Sequence, residues 1–123
     1  MKRRNFVFLA PVLLGAVLMN CTDDSTTCNI ATSAYTNTNA GTVTYTASIT
    51  GGSTIRSLRY GGPEGEVTVD LPTLPYTNTI TVSGGTNIFI SVSGIAQNGE
   101  VLFGHTFSDG ASEVVQDLDS CSN

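Results

Sequence analysis

Thr42-Val43-Thr44-Tyr45-Thr46-Ala47-Ser48-Ile49-Thr50 alternates without a break: each odd position is apolar and each even one is Thr or Ser. A strand turns successive side chains to opposite faces, so the stretch predicts a strand with one buried and one solvated side. β-branched threonine suits the solvated side. Gly51-Gly52 ends the strand, and the same period then continues in both directions along the chain.

Downstream, Thr54 to Tyr60 predicts a second strand, and alternation places its two arginines, Arg56 and Arg59, on opposite faces. Gly61-Gly62-Pro63-Glu64-Gly65 predicts a loop, since glycine accepts positive φ and proline lacks a ladder donor. Glu66 to Leu71 alternates again, and Pro72 and Pro75 end it in an extended crossing. Asn78 to Ser83 predicts a strand with Ile80 and Val82 inward. After Gly84-Gly85, Asn87 to Ile95 sets Ile88, Ile90 and Val92 on one face. Asn98-Gly99 predicts a hairpin, because both residues accept the left-handed region that a type I′ turn needs. Glu100 to Phe107 returns with Val101, Phe103, His105 and Phe107 in one inward register. Asp109-Gly110 marks a turn, and Glu113 to Leu118 predicts the last strand. No window beyond the first twenty residues has helical period. About seven short strands in roughly 100 residues predict a single all-β sandwich, mostly antiparallel.

Upstream the character changes. Lys2, Arg3 and Arg4 precede an apolar run from Phe6 to Met19, whose 14 residues are too few to cross a bilayer as a helix, which takes about 20. A basic start and a short apolar core predict a secretory signal. Leu18-Met19-Asn20-Cys21 resembles a bacterial lipobox, which implies cleavage before Cys21 and lipidation of that cysteine. The expected organisation is a signal over 1–20, an anchored polar linker over 21–27, a sandwich domain over 28–121 and a tail at 122–123. Two acyl chains hold a protein stably on a membrane. The expected address is therefore the cell envelope, on the surface or the periplasmic face of an outer membrane. Thr22-Asp23-Asp24 resembles surface-export signals of Bacteroidetes lipoproteins, and Asp24-Ser25-Thr26 resembles a short O-glycosylation motif of that group.

Removal of residues 1–20 leaves two arginines, no lysine and ten acids, a net charge of −8. Phosphate binding needs clustered Lys and Arg, so nucleic acid is an unsuitable partner. Two cysteines remain beside Cys21. In an oxidising compartment Cys28 and Cys121 are expected to pair and to staple the ends of the domain.

Residues 42 to about 110 resemble the MmpS-type transport accessory proteins and their lipoprotein relatives. The resemblance follows Val43-Thr44-Tyr45, Gly51-Gly52, a strand ending in Tyr60 and a glycine-rich loop. It continues with Leu74-Pro75-Tyr76 where that family often has Leu-Pro-Trp, then Thr79-Ile80-Thr81-Val82, Ile88-Phe89-Ile90-Ser91-Val92, Asn98-Gly99-Glu100-Val101 and Asp109-Gly110. It implies a small immunoglobulin-like sandwich in the envelope, without a catalytic motif, that assists a membrane exporter. A lipid cysteine in place of a transmembrane anchor separates this chain from the mycobacterial members.

Chemistry-bearing residues are sparse. His105 is the only histidine and is expected to be a satisfied core or edge residue, since acid–base work and zinc binding both need companions. Asp109, Asp117 and Asp119 lack the spacing of a calcium loop and predict a solvated edge. No serine lies in a Gly-x-Ser-x-Gly elbow. No cofactor, metal or enzymatic activity is expected. Tyr76, beside the constrained Pro75, is the one aromatic placed to contact a partner. The expected role is that of a non-enzymatic accessory or interaction module, with an envelope transporter as the partner that the resemblance implies. The competing expectation is a surface adhesin or glycan-binding sandwich.

Overall fold

The computed structural model describes residues 25–111 and 113–123. The expected signal over 1–20, Cys21 and Asp23-Asp24 lie outside the described residues. Ten strands follow in order: β1 (Ser25–Ala31), β2 (Tyr35–Thr36), β3 (Gly41–Ile49), β4 (Thr54–Gly62), β5 (Gly65–Asp70), β6 (Tyr76–Val82), β7 (Asn87–Ile88), β8 (Ile90–Gln97), β9 (Glu100–Ser108) and β10 (Val114–Ser122). Two four-stranded sheets, β1-β8-β4-β5 and β10-β9-β3-β6, face each other, and β2 pairs with β7 at one end. All pairings are antiparallel. The all-β sandwich read from the alternation is the observed fold.

The opening stretch is β3, the centre of its sheet between β6 and β9. Val43, Tyr45 and Ala47 are buried. Their neighbours Thr42, Thr44 and Thr46 stand opposite Thr81, Thr79 and Thr77 of β6 on the outer face. The facing sheet supplies Ile55, Leu58, Tyr60, Ile90, Val92 and Ala96 to the core. Each buried aliphatic side chain of this kind contributes about 1.5–3 kcal/mol, and its alternating outer neighbour leaves a hydroxyl in water.

Leaving aside the two short strands, the second and fifth strands pair (β3 with β6), as do the third and sixth (β4 with β8). These are the central pairings of an immunoglobulin sandwich. The outer strands differ: β1 lies beside β8, β9 beside β3 and β5 beside β4, so the first, fourth and seventh strands all lie in the other sheet relative to that arrangement.

The structure corrects four expectations. Asn98-Gly99 does not close a hairpin, because β8 and β9 belong to different sheets. Asn98 alone takes positive φ, at 51°, and the turn is an arch between the sheets. It is laced to the β3–β4 arch by Thr50 N–H to Glu100 O at 2.9 Å, Glu100 N–H to Thr50 Oγ1 at 2.8 Å and Gly52 N–H to Gln97 O at 2.8 Å. Second, Arg56 and Arg59 do not lie on opposite faces. A register shift between Ile55 and Ser57 inserts one residue into β4. Such a bulge resets the alternation: Ile55 and Leu58 are both inward, and both arginines are exposed on the outer face. Third, the strand expected over 87–95 is divided at Phe89 into β7 and β8. Fourth, an unforeseen strand, β1, begins at Ser25 within the stretch read as linker, and β10 runs to Ser122.

The topology gives the sandwich two distinct ends. One carries the start of β1, the two laced arches, the crossing 71–75 with its cis Leu74–Pro75 bond, and the C-terminus. Asn123 closes this end by bonding Gly99 O through its N–H and Thr26 Oγ1 through its amide. The other end carries the β4–β5 hairpin, the 83–86 turn, the β2–β7 pair and the β9–β10 turn.

Candidate functional site

The second end holds a cleft of about 530 Å³. Its first wall is the β4–β5 hairpin, where Gly62 pairs with Gly65 around Pro63-Glu64 and Gly65 takes a φ of 114°. Gly61 donates its N–H to Phe89 O at 3.2 Å. The Asn87 carbonyl approaches Gly61 so closely that any Cβ there would collide with it. Glycine at 61 thus lets the second wall, Ser83 to Phe89, pack against the first.

That second wall is fixed from below by Asn37, which is only 2% exposed. Its side-chain amide donates to Ser83 O at 3.0 Å and Asn39 O at 2.7 Å. Its side-chain oxygen accepts Thr86 N–H at 2.8 Å, and its carbonyl accepts Gly85 N–H at 2.8 Å. Thr86 adds a hydroxyl bond to Ser83 O at 2.7 Å. A buried polar side chain with its capacity used in this way rigidifies the loop that it serves. Sequence reasoning missed Asn37: Thr36-Asn37-Thr38-Asn39 is a polar run in which nothing marks one asparagine as buried.

The cleft is lined by the glycines of both walls, Pro63 and Glu66 of the hairpin, and Ser83, Thr86, Asn87 and the half-buried Phe89 of the second wall. Glu66 is engaged by Arg59 at 2.8 Å in a half-exposed ion pair. The lining therefore combines neutral hydrogen-bonding residues and one phenyl-bearing residue with a single carboxylate that is held in an ion pair.

The residues singled out by sequence fall elsewhere. Cys21 lies outside the described residues. Cys28 and Cys121 are joined, with Cα atoms 6.0 Å apart, and they tie edge strand β1 to edge strand β10. Tyr76 opens β6, is half-buried and packs against the core, with burial and the neighbouring Tyr60 hydroxyl raising its pKa. Tyr60 in turn accepts a bond from the Asn78 amide at 2.9 Å and stacks at 4.6 Å on Tyr45. Tyr45 donates to Gly61 O at 2.7 Å, and burial pushes its phenol up to about 12.

His105 lies inward as expected but is not a satisfied residue. It is 1% exposed, and neither ring nitrogen meets a hydrogen-bond partner among the described residues. It stands between Tyr45 on β3 and Asp117 on β10. Burial lowers its pKa, opposed by the Asp117 charge and the Ser33 backbone. The Asp117 carboxylate is occupied with Ser33 N–H at 3.0 Å. Asp109 accepts the N–H groups of Ala111 and Glu113. No three His, Cys, Asp or Glu residues among those described gather as a metal-ligand set.

No protein-family model, curated protein or solved structure matches this chain.

Proposed function

We propose that the chain is a non-enzymatic envelope lipoprotein, anchored through Cys21, that works as an interaction module held close to the membrane. The observation that carries this reading is the position of β1. It begins at Ser25, four residue steps after the lipobox cysteine. Four steps reach at most about 14 Å when fully extended. An anchored sandwich would therefore rest on the end that bears the start of β1. Leu71, 77% exposed on that same end, supports the orientation by offering an apolar side chain to the bilayer. The nine-residue strands would carry the opposite end, with its cleft, about 30 Å further out.

The resemblance of residues 42 to about 110 to MmpS-type proteins favours an accessory role beside an envelope transporter. The exposed sheet edges and the preorganised far end suit a module that holds a partner. The net charge of −8 that removal of residues 1–20 would leave directs it away from nucleic acid. Fractionation of a Cys21→Ser variant tests the anchor: release into the soluble fraction is expected, and retention with membranes would remove it. Crosslinking from the native envelope through a C-terminal tag tests the partnership. Recovery of a transporter subunit is expected, and crosslinks to no envelope protein would count against the accessory role.

A further inference from the structure

We propose that the cleft between the β4–β5 hairpin and the 83–89 segment is a binding site for a neutral saccharide. This goes beyond the anchored-module reading and rests on the cleft alone.

Size comes first. At about 530 Å³ the cleft falls within the range of small-ligand sites. It is also built in advance. Asn37, 2% exposed, fixes the 83–86 turn with four hydrogen bonds, and Gly61 lets the two walls meet through its bond to Phe89 O. A ligand would not have to order either wall, so little of its binding energy would be lost to loop entropy.

Chemistry then selects the class. A saccharide ring carries hydroxyls around its rim and C–H groups on its faces. The lining holds both kinds of group, with Ser83, exposed Asn87 and the glycines as hydrogen-bonding residues for the rim, and Phe89, whose ring reaches the Gly61 position, as the aromatic residue for a face. An anionic ligand is disfavoured by the Glu66 carboxylate and by Glu64 at the hairpin tip. A cationic ligand would have to compete with Arg59, which already holds Glu66 at 2.8 Å. A purely apolar ligand would leave the backbone polar groups unpaired, and each such group costs binding free energy. A neutral polyhydroxylated ring leaves none of these conflicts.

The test uses the full-length protein in detergent micelles, titrated with soluble cellohexaose, maltohexaose, mannohexaose and chitohexaose, with polygalacturonate as the anionic comparison. Amide resonances are the readout. At least one neutral hexasaccharide is expected to shift the signals of Gly61, Gly85, Asn87 and Phe89 while those of β10 stay in place. Phe89→Ala should weaken that binding at least about tenfold. Asn87→Ala, on an exposed side chain, should weaken it with no change in thermal stability, which covers the case in which Phe89→Ala disturbs folding. The proposal is overturned if no neutral hexasaccharide shifts those signals, if polygalacturonate shifts them equally, or if binding survives both substitutions unchanged. Because these titrations do not depend on the anchor, their failure is distinct from a failure of the Cys21→Ser fractionation.

Discussion

Asn37 and His105 are both buried polar side chains, and they illustrate opposite solutions to the same cost. Burying a polar group is unfavourable unless its hydrogen bonds are remade inside the protein. Asn37 remakes them with Ser83, Asn39 and Thr86. Asn37→Ala would leave the Thr86 N–H and one Ser83 acceptor site unserved, and a loss of about 2–3 kcal/mol is expected. Urea unfolding measures this as a lower midpoint, and an unchanged midpoint would contradict the assigned role. His105 remakes none among the described residues. Its ring faces the edge of Tyr45 at 6.2 Å and, across the β9–β10 ladder, Asp117. Its pKa in the folded chain lies below the ordinary value of about 6.5 that the unfolded chain keeps. The unfolded state then binds the proton more readily, so the associated stability is complete above about pH 6.5 and is lost as pH falls toward the folded value. His105→Leu should remove that component of the acid sensitivity. The difference in melting temperature between variant and parent should favour the variant more at pH 5 than at pH 7.5. A difference that does not change with pH would show that folding leaves the affinity of His105 for its proton unaltered.

At the level of elements, the period-two signal made the strands readable but not the sheets to which they belong. Val43, Tyr45 and Ala47 had to be inward because alternation is a property of each strand by itself. The route taken at Asn98-Gly99 is not local. The same dipeptide serves a hairpin or an arch, and the arch prevails here because Thr50 and Gly52 of another loop bond Glu100 and Gln97. The bulge at Arg56 was hidden for a related reason: one inserted residue leaves composition intact and changes only which way the later residues of the strand face. Part of the cleft was readable, since the glycine loops at 61–65 and 84–85 were recognisable as turns, whereas their meeting depends on Asn37 from a distant segment. Two glycines of the same hairpin separate the causes. Gly65 has open space where a Cβ would go but a φ of 114°. Gly61 has no positive φ but meets the Asn87 carbonyl. Gly65→Ala should cost about 1–2 kcal/mol from backbone strain alone. Gly61→Ala should cost more, about 2–4 kcal/mol, because it forces the two walls apart. Thermal unfolding of both variants checks the order, and the reverse order would mean that the 87–89 segment yields easily.

On the scale of the whole molecule, the sandwich has one closed side and one open side. On the closed side, β1 and β10 are tied by Cys28–Cys121. On the open side, β5 and β6 are the edge strands of different sheets and are not paired with each other, and Val67 on the inner face of β5 remains 38% exposed. The closed side is also the side of the proposed anchor, since β1 is the first described strand after Cys21. An edge strand held only by β8 would carry any pull from the membrane along a single ladder. The bond to β10 shares that load with the second sheet. It also joins residues 93 positions apart, so in the chain-entropy account it destabilises the unfolded ensemble by about 4–5 kcal/mol. The paired variant Cys28→Ser/Cys121→Ser should therefore melt well below the parent while it keeps the same β-sheet circular dichroism at 20 °C. Hydrogen exchange separates the two contributions. If the bond acts on the unfolded chain alone, protection falls evenly over β3, β4, β8 and β9. If it also pins β1, the amides of Thr26 and Ile30, which share the phase of the Thr32 N–H bonded to Ile90 O, should lose more protection than those of β3. An even loss would assign the disulfide to global stability only, and a loss concentrated in β1 would assign it to holding the strand from which the proposed anchor would extend.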